Sequence, residues 1–217
     1  MRLYFVRHGE SKYNVLKLHQ HGEVPLSKTG EKQAKAVAKR FKKISIDAII
    51  ASDYMRAKNT AEEISKVTDR EIVFSPLIRE RKRPSELTGT PYTTTLSKQI
   101  YQRMYRHRND PAWHYSDEEN FWDAIERAKK FIREVEKREE KRIAVVSHGA
   151  FIKFILAAMM FESTITPDIF NRFYLFAVSN NTGITVCEKK SGAHPDSDKN
   201  DPRRWHLLTW NDHTHVR

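Results

Sequence analysis

Residues 3–11 read LYFVRHGES, and this stretch decides the fold. Its first four residues form a short apolar run, which is typical of a central strand covered on both faces. Similar runs follow at 48–51 (AIIA), 72–74 (IVF) and 143–146 (IAVV). Helical patterns separate these runs, and the alternation predicts a mostly parallel sheet inside a three-layer α/β/α sandwich.

The helices are predicted from apolar periodicity and capping residues. Ser27 is the expected N-cap of a helix through about residue 43, and Ser52 or Asp53 that of a second. A third helix is predicted from Ser116, with Ser116 and Glu119 as a capping box, to about Glu140. Residues 149–160 are apolar nearly all round and predict a buried helix.

The later part of the chain has a different pattern. Residues 173–178 and 184–188 flank a turn-rich link and predict an antiparallel hairpin, to which 205–209 would add an edge strand. Between residues 79 and 111 the pattern weakens, with one helix from about Leu96 to His107. We expect a single domain over 1–217, in which residues of about 81–115 form a helical cap insertion over the carboxyl edge of the sheet. Residues 191–202 are polar and predict a loop.

The composition limits the class of protein. The 217 residues include one cysteine, Cys187, which excludes an internal disulfide and a multi-cysteine zinc site. The apolar run at the start is too short for a signal peptide, and no segment is long enough to span a membrane. We therefore expect a soluble, cytoplasmic protein without membrane association; the sequence does not indicate its oligomeric state.

The net charge of +11 lies in the first half of the chain. Residues 1–110 hold 23 Lys and Arg against 12 Asp and Glu, whereas residues 111–217 hold 16 of each. A basic surface attracts nucleic acid, anionic membranes or small anionic substrates. Solvated lysine-rich helix faces account for much of this excess.

Two histidines follow two of the predicted strands directly. Arg7-His8-Gly9 comes after the first strand and Ser147-His148-Gly149 after the fourth. In an open α/β sheet, ligands bind at the carboxyl ends of the strands, so both histidines are expected in one site. Arg7 and Arg56 offer planar forks for phosphoryl oxygens, and a protonated His148 would add a further donor. The amides at the start of the helix after His148 would contribute a positive field.

Several motifs together resemble those of the histidine phosphatase superfamily, also called the phosphoglycerate mutase-like family. They appear in family order from residue 2 to about residue 188: RHG at 7–9, PLSKTG at 25–30, SDYMRAKNTA at 52–61, SHG at 147–149 and NTGIT at 181–185. The resemblance implies a metal-independent phosphatase without a cofactor. Its substrate would be a small anionic phosphorylated metabolite.

The resemblance also implies residue roles. His8 would be the nucleophile and would form a phosphohistidine, which requires a neutral ring. Arg7, Asn14, Arg56 and His148 would bind the phosphoryl group. Glu80 would act as general acid and then as general base toward water. Glu86 competes for that role, because residues 83–86 depart from the family pattern.

Other functions fit the sequence less well. A cofactor-dependent phosphoglycerate mutase is one alternative, but the longer middle segment and the Gly-Trp loop of such mutases are not visible. A catalytically idle module that binds anions or nucleic acid is a second, and no nucleic-acid-binding motif supports it. A P-loop is absent, and Ala193 stands where a cysteine phosphatase built on Cys187 would need arginine. The basic, aromatic insertion, rich in Arg and Tyr from Arg81 to Arg106, suggests a substrate with a second anionic group.

Overall fold

The computed structural model describes residues 1–189 and 205–216, within which six strands form one sheet. The strands are β1 (Arg2–Arg7), β2 (Ala48–Ala51), β3 (Ile72–Phe74), β4 (Arg142–Ser147), β5 (Ile184–Lys189) and β6 (Trp205–Asp212), and their order is β3-β2-β4-β1-β5-β6. The pairs among β1 to β4 are parallel, whereas β5 runs antiparallel to both β1 and β6. The predicted sheet, with its late antiparallel strand, is confirmed.

Helices cover both faces of this sheet. They are α1 (Lys12–Leu16), α2 (Lys28–Phe41), α3 (Met55–Thr68), α4 (Thr95–Arg106), α5 (Phe121–Glu136), α6 (Gly149–Phe161) and α7 (Pro167–Phe176). Helices α2 and α3 pack on one face of the sheet, and α5 and α6 pack on the other. The predicted three-layer α/β/α sandwich is therefore confirmed.

Strand β1 shows why its sequence is continuously apolar. Leu3 and Phe5 pack into the core beneath α5 and α6, whereas Tyr4 and Val6 pack beneath α2 and α3. Successive side chains of a strand point to opposite faces, so a strand covered on both sides has no polar position in its interior. Burial of each large apolar side chain contributes about 1.5–3 kcal/mol.

The strand predicted at 173–178 is wrong, because α7 extends through Phe176. The side chain of Thr166 accepts a hydrogen bond from the Ile169 amide, and Pro167 occupies the first helical position. Phe170 then stacks on Phe154 of α6, with ring centroids 4.0 Å apart. The hairpin of β5 is instead formed with β6, which confirms the predicted edge strand and extends it to Asp212.

Two predicted helix starts are also wrong. Helix α5 begins after Asn120 rather than at Ser116, and it ends at Glu136. Asn120 and Asp123 form the capping box. The side-chain amide nitrogen of Asn120 also donates to the carbonyl oxygens of Pro111 and Trp113. These tertiary bonds select Asn120 over the equally suitable pattern that begins at Ser116.

Helix α3 begins at Met55 with Tyr54 as its N-cap, and no side chain caps it. The two predicted caps have other partners. Ser52 lies 2.9 Å from a ring nitrogen of His148, and Asp53 pairs with Arg79.

Residues 81–115, called the cap below, contain α4 and lie over the carboxyl ends of β1 and β4. Backbone hydrogen bonds attach the cap to the loop after α1: the His19 amide donates to the Thr90 carbonyl, and the Gly89 amide donates to the His19 carbonyl. The loop predicted at 191–202 lies outside the described residues. Over residues 1–189 and 205–216, the helices are too short or too polar to cross a membrane.

Candidate active site

The two predicted histidines lie side by side at the carboxyl edge of the sheet. Strands β1 and β4 are neighbours with Arg7 opposite Ser147, and the His8 amide donates to the Ser147 carbonyl oxygen at 2.9 Å. The centroids of the His8 and His148 rings are 5.1 Å apart, and both residues are buried.

The loop after β1 is held in place by the start of α2. The Ser27 hydroxyl donates to the Glu10 carboxylate at 2.6 Å, and the Ser27 amide donates to the Glu10 carbonyl at 2.8 Å. A Cβ at Gly30 would lie 1.9 Å from that carbonyl oxygen, so this close approach requires glycine. The PLSKTG motif thus supports the conformation of the loop that carries His8.

The hydrogen bonds of His8 define its tautomer. Nδ1 lies 2.6 Å from the carbonyl oxygen of Gly9, and Nε2 accepts from Nε of Arg56 at 3.2 Å. A carbonyl only accepts and a guanidinium only donates, so the proton is on Nδ1 and the lone pair is on Nε2. Burial, followed by the charges of Arg56 and Arg7, holds the pKa of His8 well below its ordinary value. His8 is therefore neutral, with its unprotonated nitrogen at Nε2.

Arg56, which is buried, and Arg7, whose Nε is buried, are cations beside His8. Arg56, in the first turn of α3, is 1% exposed and donates to the His21 carbonyl oxygen at 2.8 Å. Burial lowers its pKa to about 10, so it remains charged at neutral pH. Arg7 donates to the Ser179 carbonyl oxygen, and its buried Nε has no partner among the described residues. These guanidiniums are available to an anion.

His148 is held differently from His8. Its Nε2 lies 2.9 Å from the hydroxyl of Ser52, and its buried Nδ1 has no partner within the described chain. Burial and then the charge of Arg56 hold the pKa of His148 well below its ordinary value. The protonated form considered from the sequence is therefore disfavoured without an anion.

Glu80 lies at the N-terminus of α6. Its Oε1 accepts from the amides of Arg81 and Phe151 at 2.9 and 3.0 Å, and its Oε2 accepts from the Ala150 amide at 3.3 Å. Two amides that were expected to face the phosphoryl group therefore bond to Glu80. Glu80 lines the cavity that contains His8, whereas the competing Glu86 is exposed, does not line it and bonds to Tyr115.

Asn14 also lines this cavity, within α1. Asn14 and Ser11 form a capping box, in which Oδ1 of Asn14 accepts from the Ser11 amide at 3.1 Å. The side-chain oxygen is thus engaged, and the side-chain amide nitrogen is the group that Asn14 can offer to an anion.

The cavity has a volume of about 800 Å³ and brings together His8, Arg7, Arg56, Asn14 and Glu80 beneath the cap. The His148 ring packs edge-to-face against the His8 ring. Two residues of the site were missed from the sequence. Ser52 positions His148 and opens the SDYMRAKNTA motif, and Lys153, which lines the cavity, follows Gly149 by four residues on a helix. That helical spacing was the available signal for Lys153.

Comparisons with known proteins show which proteins the chain resembles. The model of the histidine phosphatase superfamily (branch 1) matches residues 3–212. The chain is 47% identical over 81 residues to a probable phosphoglycerate mutase GpmB from Photorhabdus laumondii, covering 37% of this chain and 38% of that protein. It is 32% identical over 164 residues to a probable phosphatase from Schizosaccharomyces pombe, covering 71% and 55% respectively. The chain thus aligns with about two fifths to just over half of the length of these relatives.

Among solved structures, a phosphoserine phosphatase mutant from Entamoeba histolytica in complex with phosphoserine superimposes with a TM-score of 0.77. The sequence identity is 22%, and the match covers 100% of this chain and 99% of that one. At this identity the likeness concerns the fold.

Proposed function

Because the chain belongs to the histidine phosphatase superfamily, we propose that it is a phosphatase that hydrolyses a small phosphomonoester through a phosphohistidine on His8. The observation that carries this proposal is the neutral His8, whose Nε2 lone pair faces Arg56 in a cavity that also contains the guanidinium of Arg7. The likeness to a probable phosphatase of fission yeast and to the amoebal phosphoserine phosphatase supports the same reaction type.

Substrate binding uses the cations at the base of the cavity. The phosphoryl oxygens bind beside Arg7 and Arg56, which line the cavity with Asn14. The side-chain amide nitrogen of Asn14 and the buried, unpartnered Nδ1–H of His148 act as further donors. Charge-assisted hydrogen bonds from fixed guanidiniums stabilise the charge that spreads over the oxygens in the transition state.

Phosphoryl transfer then proceeds in two steps. Nε2 of His8 forms a bond to phosphorus while the bond from phosphorus to the ester oxygen breaks, and Glu80 gives its proton to the leaving alkoxide. Water next attacks the phosphorus of the phosphohistidine while Glu80 takes a proton from that water. The nitrogen–phosphorus bond then breaks and phosphate is released. Oε2 is the oxygen of Glu80 that carries the proton, because it has one long hydrogen bond whereas Oε1 has two shorter ones.

The test is the turnover of p-nitrophenyl phosphate by a His8→Ala variant. We expect activity to fall by at least about 10⁴-fold, because the covalent route is lost. His114→Ala, which changes a partly exposed histidine outside this cavity, is the matched control and should retain activity. Turnover by His8→Ala at the wild-type rate would overturn the proposal. We also expect dialysis against EDTA to leave turnover unchanged, because all proposed roles belong to side chains.

Phosphoglycerate mutase activity is a second candidate, favoured by the likeness to the probable phosphoglycerate mutase of Photorhabdus laumondii. A mutase returns the phosphoryl group of the histidine to a second hydroxyl rather than to water. A coupled assay of the interconversion of 2- and 3-phosphoglycerate separates the two. We expect release of inorganic phosphate without interconversion.

A further inference from the structure

The proposed catalytic cavity contains more positive charge than a phosphoryl group requires. Seven lysine and arginine side chains line it, and Glu80 is the one carboxylate among its described lining residues. The cations are Arg7, Arg56, Arg79, Arg81, Lys82, Arg83 and Lys153.

Three of these cations are neutralised within the protein. Arg79 pairs with Asp53 at 2.5 Å, Arg81 with Glu118 at 3.1 Å, and Lys82 with Asp117 at 2.9 Å. Arg7 and Arg56 are assigned above to the phosphoryl group. The remaining cations are Arg83 of the cap and Lys153 of α6.

Arg83 and Lys153 contact aromatic rings instead of carboxylates. The Arg83 guanidinium lies 5.3 Å from the centre of the Tyr101 ring. Nζ of Lys153 lies 4.0 Å from the centre of the Tyr174 ring and donates to the Tyr174 carbonyl oxygen at 2.9 Å. Within residues 1–189 and 205–216, neither forms an ion pair.

Lys153 is 8% exposed, and an ammonium so deeply buried is costly without an opposite charge. Burial lowers its pKa, and the charge of Arg7 lowers it further. Both tyrosines also line the cavity, and burial raises the pKa of Tyr174, which keeps that hydroxyl protonated as a donor. An anion bound here would face two cations and phenolic donors.

The position of Lys153 limits the size of the ligand. Gly149 packs against the Arg7 guanidinium, and Lys153 lies four residues further along α6. That spacing corresponds to one helical turn, about 6 Å. The second anion therefore lies a few bonds from the phosphoryl group, as in a small bifunctional metabolite.

Resting on the function proposed above, we propose that Arg83 and Lys153 form a second anion subsite. This subsite selects small phosphomonoesters with a carboxylate or a second phosphate over esters of uncharged alcohols.

The test compares kcat/KM for 3-phosphoglycerate and for glycerol 1-phosphate, which differ by a carboxylate in place of a hydroxymethyl group. A third substrate, propane-1,3-diol bisphosphate, distinguishes a preference for phosphate from one for carboxylate. We expect kcat/KM of the wild-type protein for at least one of the two doubly anionic substrates to exceed that for glycerol 1-phosphate by at least about 10-fold. The variants Arg83→Gln and Lys153→Gln should each reduce this ratio by about 10- to 100-fold. Rates on glycerol 1-phosphate should change by less than about threefold. Arg103→Gln removes a cap cation outside the cavity and should retain the wild-type preference.

A binding measurement separates this proposal from the phosphatase function. Calorimetric titration of the His8→Asn variant, with and without Arg83→Gln, gives Kd for the same three compounds without turnover. Selective binding that Arg83→Gln abolishes supports the subsite even if the wild-type protein hydrolyses neither these compounds nor p-nitrophenyl phosphate, an outcome that would overturn the phosphatase function alone. Equal rates and equal Kd values for the three compounds would overturn the subsite, as would a loss of selectivity with Arg103→Gln.

Discussion

Two parts of the cavity, called the floor and the roof here, differ in whether their cations are paired with carboxylates. The floor consists of His8, Arg7, Arg56 and His148, which have no carboxylate partner in the described structure. The roof is the cap, where Arg81 and Lys82 are paired with Glu118 and Asp117. The floor is therefore preorganised for an external anion, whereas most of the roof charges stabilise the structure of the cap.

The largest expected effect follows from removing a floor cation. Arg56→Met removes both the phosphoryl contact and the donor to Nε2 of His8, and kcat/KM should fall by about 10³- to 10⁵-fold. The free energy of unfolding should not fall, because the guanidinium is desolvated without a carboxylate partner. Steady-state kinetics and urea denaturation of the same variant check both parts, and a less than 10-fold loss of kcat/KM would contradict the role of the floor.

Glu80 lies between floor and roof, and its replacement should give a smaller loss that depends on the leaving group. Glu80→Gln should lower kcat/KM for an alkyl phosphate by about 10²- to 10³-fold, because the alkoxide then leaves without a proton. For p-nitrophenyl phosphate, which has a good leaving group, the loss should be below about 10-fold. Glu86→Gln is the control; if it showed this pattern and Glu80→Gln did not, the general acid would be Glu86.

A roof ion pair should affect stability more than catalysis. Arg81→Met leaves the Glu118 side chain, which is 2% exposed, without its partner. The free energy of unfolding should therefore fall by about 3 kcal/mol. The double variant Arg81→Met/Glu118→Met should recover much of this loss, because no buried charge remains. Urea denaturation measures both, and kcat/KM should change by less than 10-fold. A loss of kcat/KM comparable to that of Arg56→Met would show that the roof pair binds substrate.

The smallest expected effect is on the pH dependence of stability. The pKa of His148, on the floor, is lowered in the folded state, so the unfolded chain binds its proton first and stability falls as pH falls below about 6.5. The pKa of His114, on the roof, is raised by its hydrogen bond to Asp123, so its contribution grows as pH falls.

Urea denaturation between pH 6.5 and 5.5 tests these opposite signs. His148→Asn should flatten the loss of unfolding free energy by about 1 kcal/mol per pH unit. His114→Asn should steepen it by a smaller amount, because that residue is partly exposed. If both variants changed the pH dependence of the unfolding free energy in the same direction, His148 and His114 would not have opposite pKa shifts.

Three of the four floor residues, Arg7, His8 and His148, could be predicted from the sequence because each lies at the end of a strand or directly after it. Four short apolar runs fix the parallel strands, and parallel strands bring their carboxyl ends to one edge. Arg7, His8 and His148 were located in this way, whereas the contribution of Glu80 depends on the resemblance to the family and on a contact with α6 that no local pattern encodes.

The parts that could not be predicted depend on tertiary contacts. Residues 173–178 are apolar enough for a strand, and only the cap at Thr166 with the packing of Phe170 makes them the end of α7. Asn120 rather than Ser116 begins α5 because its amide bonds to Pro111 and Trp113. The ion pairs of the roof cations form only in the folded chain, so the sequence alone does not distinguish Arg83 from the other cations of the basic insertion.

Trapping the covalent intermediate shows whether His8 is the nucleophile. Rapid acid-free quench during turnover of p-nitrophenyl phosphate, followed by mass spectrometry of the peptides, should show an alkali-stable, acid-labile phosphoryl group on His8. Turnover without that group, or with the phosphoryl group on another residue, would contradict the account.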